Sequence, residues 1–133
     1  MKKTIAIITI LLLLITISIA GCTTSGTPTK TVTTANDEIL ELGKVNPVQT
    51  AIVNSTKFST ITNSSNLSNG SIKRTSYEAN HQQYESESTG AGFVVFSEIY
   101  YPKGWNAYID GKATDYVCTN YVLRGLNVPA GKH

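Results

Sequence analysis

The chain of 133 residues is long enough for one domain, and its formal charge is +2. Two of its eleven basic residues, Lys2 and Lys3, lie in a predicted leader; without them nine basic residues face nine acidic ones. A near-neutral surface lacks the basic patch that nucleic-acid-binding proteins need, so the composition argues against that class.

The N-terminus has the parts of a secretory signal. The two lysines precede an uncharged apolar run over residues 4–20, and Ile-Ala-Gly-Cys follows at positions 19–22. This end resembles a lipobox, which implies a signal peptide over residues 1–21 and diacylation of Cys22. We therefore expect a lipid-anchored protein on the extracytoplasmic face of a cell membrane. The alternative is an uncleaved transmembrane anchor, because the run approaches the lower limit of about 18 residues for a span.

The residues after the leader divide into a tether and a folded part. Residues 22–35 are rich in Thr and have no apolar periodicity, which predicts a flexible tether; the alternative is an edge strand over residues 31–34. Residues 36–43 predict a short helix, with Asn36 or Asp37 as its N-cap and Gly43 ending it in the left-handed region.

The folded part, residues 36–133, predicts an all-β domain, a small antiparallel β-sandwich with that one helix. The apolar run over residues 92–100 is typical of a central strand buried on both faces. The turn signal at residues 129–131 implies a following strand, yet the sequence stops at His133. Either the turn is an unused tail, or the sandwich lacks its last strand and residues 121–128 form an open edge. Other predicted strands cover residues 50–53, 57–62, 72–78 and 82–87, with a loop over residues 63–71.

Residues 105–116 predict a hairpin. The Asp-Gly pair at residues 110–111 suits a type I′ turn, in which both central residues need positive φ. A two-residue loop fixes the register, so Ala107 lies opposite Thr114 and Trp105 lies opposite Tyr116.

Three runs carry a resemblance to a known family: residues 96–112, which include Tyr-Tyr-Pro-Lys-Gly-Trp, residues 120–125 and residues 128–133. On these runs, residues 37–133 resemble the C-terminal extracytoplasmic domain of the YfhO family of bacterial membrane proteins. The resemblance implies a small β-sandwich that follows many transmembrane helices, which are similar to lipid-linked-sugar glycosyltransferases. Because the 133 residues contain none of those helices, no glycosyltransferase chemistry is carried over. A truncated, non-functional fragment of such a protein stays open as an alternative.

The sequence offers little for catalysis. Ser/His/Asp, HExxH and CxxC patterns are absent, and His81 and His133 are isolated, so we expect no enzyme activity, cofactor or metal site. Glu98 and Asp110 would be the carboxylates of a glycosidase only if a cleft surrounded them. Glu98 is more readily explained as a partner of a backbone turn or of Arg124. Arg124 itself is either an edge residue or the buried partner of Glu98.

Two binding hypotheses remain. Aromatic rings stack on sugars and polar neighbours bind hydroxyls, so Tyr101, Asn106, Tyr108 and Asp110 are candidates for binding an envelope glycan; the alternative is that the aromatics are core and rim. The second hypothesis is a module that docks on a membrane protein by strand addition along residues 121–128.

The second cysteine, Cys118, is expected to be a buried free thiol rather than a disulfide partner of Cys22.

Overall fold

A computed structural model describes residues 27–61 and 69–133. These residues form an all-β domain with one short helix, as the sequence predicts. The helix, α1, covers Ala35–Leu42. The strands are β1 Thr29–Val32, β2 Ala51–Asn54, β3 Gly70–Glu78, β4 His81–Ser88, β5 Gly92–Ile99, β6 Ala107–Ile109, β7 Lys112–Thr114, β8 Val117–Thr119, β9 Leu123–Val128 and β10 Gly131–Lys132.

The strands form two sheets and a separate hairpin. The larger sheet has the order β1-β2-β8-β9-β5, the smaller sheet has the order β10-β4-β3, and β6 pairs with β7. Only β1 and β2 are parallel, and α1 connects them. Thr27, two residues before β1, donates its N–H to the Phe93 carbonyl of β5 at 3.1 Å.

The first strand corrects the prediction of a flexible tether over residues 22–35. Thr29–Val32 pairs along its whole length with β2, and both Thr29 and Val32 are buried. The edge strand considered as the alternative is therefore present, two residues earlier than predicted. The predicted signal peptide and Cys22 lie outside the described residues.

The short helix is confirmed, but its caps differ from the prediction. Thr34 is the N-cap, and its hydroxyl accepts the Asp37 N–H at 3.1 Å. Gly43 ends the helix with a φ of −70°, which is right-handed backbone. Glu41 ties the helix to β1 through Lys30 at 2.6 Å and also binds Lys44 at 2.9 Å. Hydrogen bonds from these two ammonium groups lower the pKa of Glu41 to about 2.

The main core lies on one face of the larger sheet. Phe93 from β5 is 5% exposed, and its ring lies directly on Gly125 of β9. A Cβ at position 125 would collide with that ring, so glycine there permits the close approach. Phe58 packs against this core from a turn rather than from the strand predicted over residues 57–62. The other core members are Ala51, Val53, Ile61 and Val117.

The positions of two long strands correct the predicted sheet order. Gly92–Ile99 is at the end of the larger sheet, where the sequence predicted a central strand. Leu123–Val128 lies between β8 and β5, so the predicted open edge over residues 121–128 is wrong. The predicted strands over residues 72–78 and 82–87 are confirmed as β3 and β4.

The hairpin prediction is confirmed at its turn. Asp110 and Gly111 have φ values of 50° and 76°, and Ala107 pairs with Thr114. The ladder ends there, so Trp105 and Tyr116 are not a strand pair. Instead the Tyr116 hydroxyl donates to the Trp105 carbonyl at 3.0 Å.

A tight corner joins β8 to β9. Asn120 and Tyr121 both have left-handed backbone, with φ values of 48° and 71°. Asn120 Oδ1 accepts the Ile52 N–H at 2.8 Å, and the buried Glu38 carboxylate accepts the Tyr121 N–H at 2.8 Å. The corner is therefore bonded to both β2 and α1.

Phe93→Ala should destabilise the domain by about 3–5 kcal/mol, because it leaves a cavity above Gly125. Ile99→Ala on the same strand is the matched control, since Ile99 is 73% exposed and its truncation should change the free energy of unfolding by less than about 1 kcal/mol. Chemical denaturation of both variants measures the difference. Equal losses would contradict the assignment of the core.

Candidate functional site

A groove lies between the smaller sheet and the outer face of the larger one. We call it the inter-sheet groove; its walls are β4 and residues 104–110, and its floor comes from β5 and β9. Its volume is about 690 Å³. That volume is within the range of roughly 300–1,000 Å³ that small-molecule sites occupy.

The floor of the groove is apolar because strand residues alternate between two faces. Along β9, Gly125 faces the main core while Leu126 lines the groove. Phe96 from β5 meets Tyr84 from β4 edge-to-face, with ring centroids 4.9 Å apart. These groove-lining side chains are half-buried, so the floor is a second apolar layer that the described residues only partly cover.

Arg124 is the principal charged group in the floor. Its guanidinium carbon is 4.6 Å from the centroid of the Trp105 ring, and Nη2 lies 3.4 Å from Glu98 Oε2. Of the two roles considered for Arg124, the partner of Glu98 is the one observed. Its Nε is buried without a hydrogen-bond partner among the described residues. Buried donors of this kind are usually hydrogen-bonded. A ligand that brings an acceptor into the groove could therefore bind the Nε of Arg124.

One wall of the groove is a strand with a free edge. β10 pairs with the end of β4, placing Gly131 opposite Ser88 and Lys132 opposite Glu87. His133 and Ser86 then exchange two backbone hydrogen bonds of 2.9 Å. Beyond Ser86, no described strand pairs with this side of β4, which runs on from Glu85 to His81. The turn at residues 129–131 thus begins a short strand, where the sequence predicted an unused tail or a missing last strand.

At the mouth of the groove, His133 bridges β10 to the β6–β7 turn. Nδ1 is 2.8 Å from Asp110 Oδ2, and Nε2 is 3.2 Å from the Ala130 carbonyl oxygen. Both ring nitrogens face acceptors, so the imidazolium can donate to both while neutral histidine can donate to only one. These hydrogen bonds, that of Asp110 first, raise the pKa of His133.

The structure brings together three of the four residues predicted to bind glycan. Asn106, Tyr108 and Asp110 all line the inter-sheet groove. Tyr101 is not among its lining residues, and its ring packs over Gly104. The sequence prediction missed β4 as the opposite wall, because a polar strand between two turns carries no local sign of what it faces.

The groove offers binding groups more than reactive ones. Its two candidate carboxylates are already engaged, Glu98 by Arg124 and Asp110 by His133. In the part of the chain that the structure describes, no three His, Cys, Asp or Glu side chains come together as a metal site requires.

Cys118 lies outside the groove lining and is half-buried, where the sequence predicted full burial. Its thiol donates to the Tyr121 carbonyl at 3.2 Å. Burial raises its pKa to about 11.

Comparisons with protein families, curated proteins and solved structures found no match to this chain. Within residues 27–61 and 69–133, no helix has the length and apolar character needed to span a membrane.

The His133–Asp110 contact should stabilise the domain at acidic rather than alkaline pH. Because folding raises the pKa of His133, the stabilisation is complete below the ordinary histidine value of about 6.5 and is lost as the pH rises through the folded-state value. Asp110→Asn should move the pKa of His133 downward in an NMR titration. Asp115→Asn, which removes a carboxylate outside this contact, is the control. An unchanged titration of His133 in Asp110→Asn would contradict the contact.

Proposed function

We propose that this chain is a lipid-anchored protein of the cell envelope. Its β domain has no enzymatic activity of its own and docks on a membrane protein through the inter-sheet groove. The proposal rests on one observation: the described residues cover only half of an apolar floor in which the buried Nε of Arg124 has no hydrogen-bond partner among them.

The two parts of that observation call for the same kind of ligand. A buried donor such as the Arg124 Nε is usually satisfied by an acceptor, and the carbonyl groups of another chain can supply one. The apolar floor beside it gains free energy when its side chains are covered, at about 25 cal/mol per Å² removed from water. A segment of another polypeptide does both, because it carries apolar side chains as well as carbonyl groups.

The lipid anchor implied at Cys22 limits where the partner can be. Only residues 23–26 separate Cys22 from Thr27, the first described residue, so the chain spans at most roughly 18 Å between them. A domain held this close to the bilayer meets other membrane-bound proteins first. This is why we favour a membrane protein as the partner over a soluble one.

A photo-crosslinking residue at Gln82, which lines the groove, should therefore link the anchored chain to a membrane protein. The same residue at Lys73, exposed on β3, should not. Metabolic labelling with a fatty acid should mark the unmutated chain and leave Cys22→Ser unlabelled. Equal crosslinking at both positions would contradict docking in the groove, and absence of label from the unmutated chain would contradict the lipid anchor.

An envelope glycan is the second candidate ligand, and the placement of three predicted residues favours it. Asn106, Tyr108 and Asp110 line one wall of the groove together. Tyr108 is 62% exposed, so its ring is free to stack on a sugar.

Two tyrosines offer a matched test of the glycan. Tyr108 lines the groove, while Tyr101 is outside it with a similar exposure of 55%. If envelope polysaccharide binds, Tyr108→Ala should weaken binding about fivefold, since stacking on an aromatic ring contributes of the order of 1 kcal/mol. Tyr101→Ala should leave the affinity unchanged. Calorimetric titration measures both, and no binding by the unmutated chain would exclude this ligand.

We also propose that the domain is the accessory β domain of a YfhO-like protein carried on a lipid anchor. The support is the resemblance over residues 96–112, 120–125 and 128–133. The competing idea, a non-functional fragment, predicts a reading frame that continues in the flanking DNA and no partner at the groove.

A further inference from the structure

We infer that one end of the larger sheet rests on the phospholipid surface to which the chain is anchored. This part of the surface, which we call the apolar end, consists of Ile99, Tyr101, Tyr121 and Val122, whose exposed fractions range from 46% to 73%. The inference rests on the lipid anchor proposed at Cys22 and names the surface that the domain turns toward the bilayer.

The four residues of the apolar end are neighbours in the fold. The Tyr100 N–H donates to the Val122 carbonyl at 2.8 Å, and Ile99 lies opposite Leu123 in the pairing of β5 with β9. The end of β5 and the start of β9 therefore present their exposed side chains together. Single apolar residues are normal on a protein surface, whereas adjoining ones mark contact with another protein or a membrane.

The corner before β9 holds part of the apolar end in place. Tyr121 has left-handed backbone, with a φ of 71°, and its N–H donates to the buried Glu38 carboxylate at 2.8 Å. Such backbone at a residue other than glycine persists only where its surroundings hold it. The exposure of the Tyr121 side chain is therefore built into the fold.

The segment that leads to the anchor joins the domain near the same corner. β1 begins at Thr29, opposite Ala51, and the next residue of β2, Ile52, exchanges hydrogen bonds with Asn120. Only β2 separates the start of β1 from Asn120, which amounts to about 10 Å at the usual spacing of strands. Because Cys22 is at most roughly 18 Å from Thr27, the acyl chains hold the apolar end within reach of the bilayer.

The residue types of the apolar end suit the boundary between lipid headgroups and acyl chains. Tyrosine is enriched at this boundary because its ring is apolar while its hydroxyl stays hydrated. Lys103 is exposed in the turn that begins at Tyr101, and its ammonium can reach lipid phosphates while its methylene groups lie on the apolar surface. A phospholipid surface therefore matches this end better than a purely polar partner does.

The contact also explains how the inter-sheet groove meets a membrane protein. The Tyr101 ring packs over Gly104, and Gly104 lines the groove. The apolar end therefore adjoins one end of the groove. With the apolar end on the bilayer, the groove opens close to the membrane surface.

Photo-crosslinking of the full, lipid-bearing chain in vesicles of phosphatidylethanolamine and phosphatidylglycerol tests the contact. A diazirine residue at Val122 should form phospholipid adducts, which mass spectrometry counts. Asn36 is the matched control position, because it is exposed in the first turn of α1 and lies beyond the other end of β1. Adducts at Val122 should exceed those at Asn36 about fivefold or more, since only an inserted side chain stays beside the acyl chains. Equal yields, or no adducts at Val122, would overturn the inference.

Two double variants test the chemistry of the contact, with the diazirine residue now at Tyr101. Ile99→Ser combined with Val122→Ser should reduce the adducts about fivefold, whereas Ile99→Leu combined with Val122→Leu should retain them, because only the leucines still gain by leaving water. Chemical denaturation shows that both variants fold, as expected for exposed positions. Equal adduct yields from the two folded variants would overturn the inference, and the comparison of Val122 with Asn36 tests it without these substitutions.

Fatty-acid labelling separates this inference from the proposed anchor. A labelled chain without adducts at Val122 would leave the anchor intact and overturn the membrane contact. Adducts at Val122 from an unlabelled chain would support the contact and overturn the lipid anchor. In native membranes, crosslinking of Val122 to a protein in place of lipid would overturn the contact, whatever the result at Gln82.

Discussion

The placement of β9 depends on the corner at Asn120 and Tyr121. Two consecutive non-glycine residues in left-handed backbone cost of the order of 1–3 kcal/mol each, so they persist only when surrounding bonds hold them. Asn120 exchanges bonds with both backbone groups of Ile52, and its Nδ2 donates to the Pro47 carbonyl at 3.4 Å. Glu38 holds the other half of the corner from the helix, and burial raises the pKa of this carboxyl. The corner thus joins the parallel β1–α1–β2 unit to the antiparallel strands, next to the pairing of β2 with β8.

After that corner, one face of β9 packs against the main core and the other face lines the groove. Gly125 admits the Phe93 ring, while Arg124 and Leu126 face the smaller sheet. A slip of one residue would exchange the two faces, placing Arg124 in the core. The packing of the core therefore also fixes which side chains of β9 form the groove floor.

Local chemistry predicted the hairpin turn and the short helix, although not the caps of that helix, and the larger failures came from contacts distant in sequence. The Asp110–Gly111 turn needs only its own two residues, so the hairpin was predictable. Gly92–Ile99 was predicted to be central because it is apolar on both faces, but the smaller sheet covers its second face and it remains at the end of its own sheet. Thr29–Val32 was predicted to be flexible because Thr-rich chain lacks apolar periodicity, and only its pairing with β2 makes it a strand. One wall of the candidate site could be predicted from the sequence, because Asn106, Tyr108 and Asp110 are near neighbours along the chain. The other wall, β4, is distant in sequence and lies opposite them only in the folded domain.

The burial of Cys118 has a consequence for redox chemistry. At pH 7, a thiol with a pKa of about 11 is ionised in roughly one molecule in ten thousand. The thiolate is the form that attacks disulfides, so exchange at Cys118 is slow even under oxidising conditions. Burial, together with the nearby Glu38 carboxylate, thus protects this cysteine from disulfide formation, because it keeps the sulfur protonated.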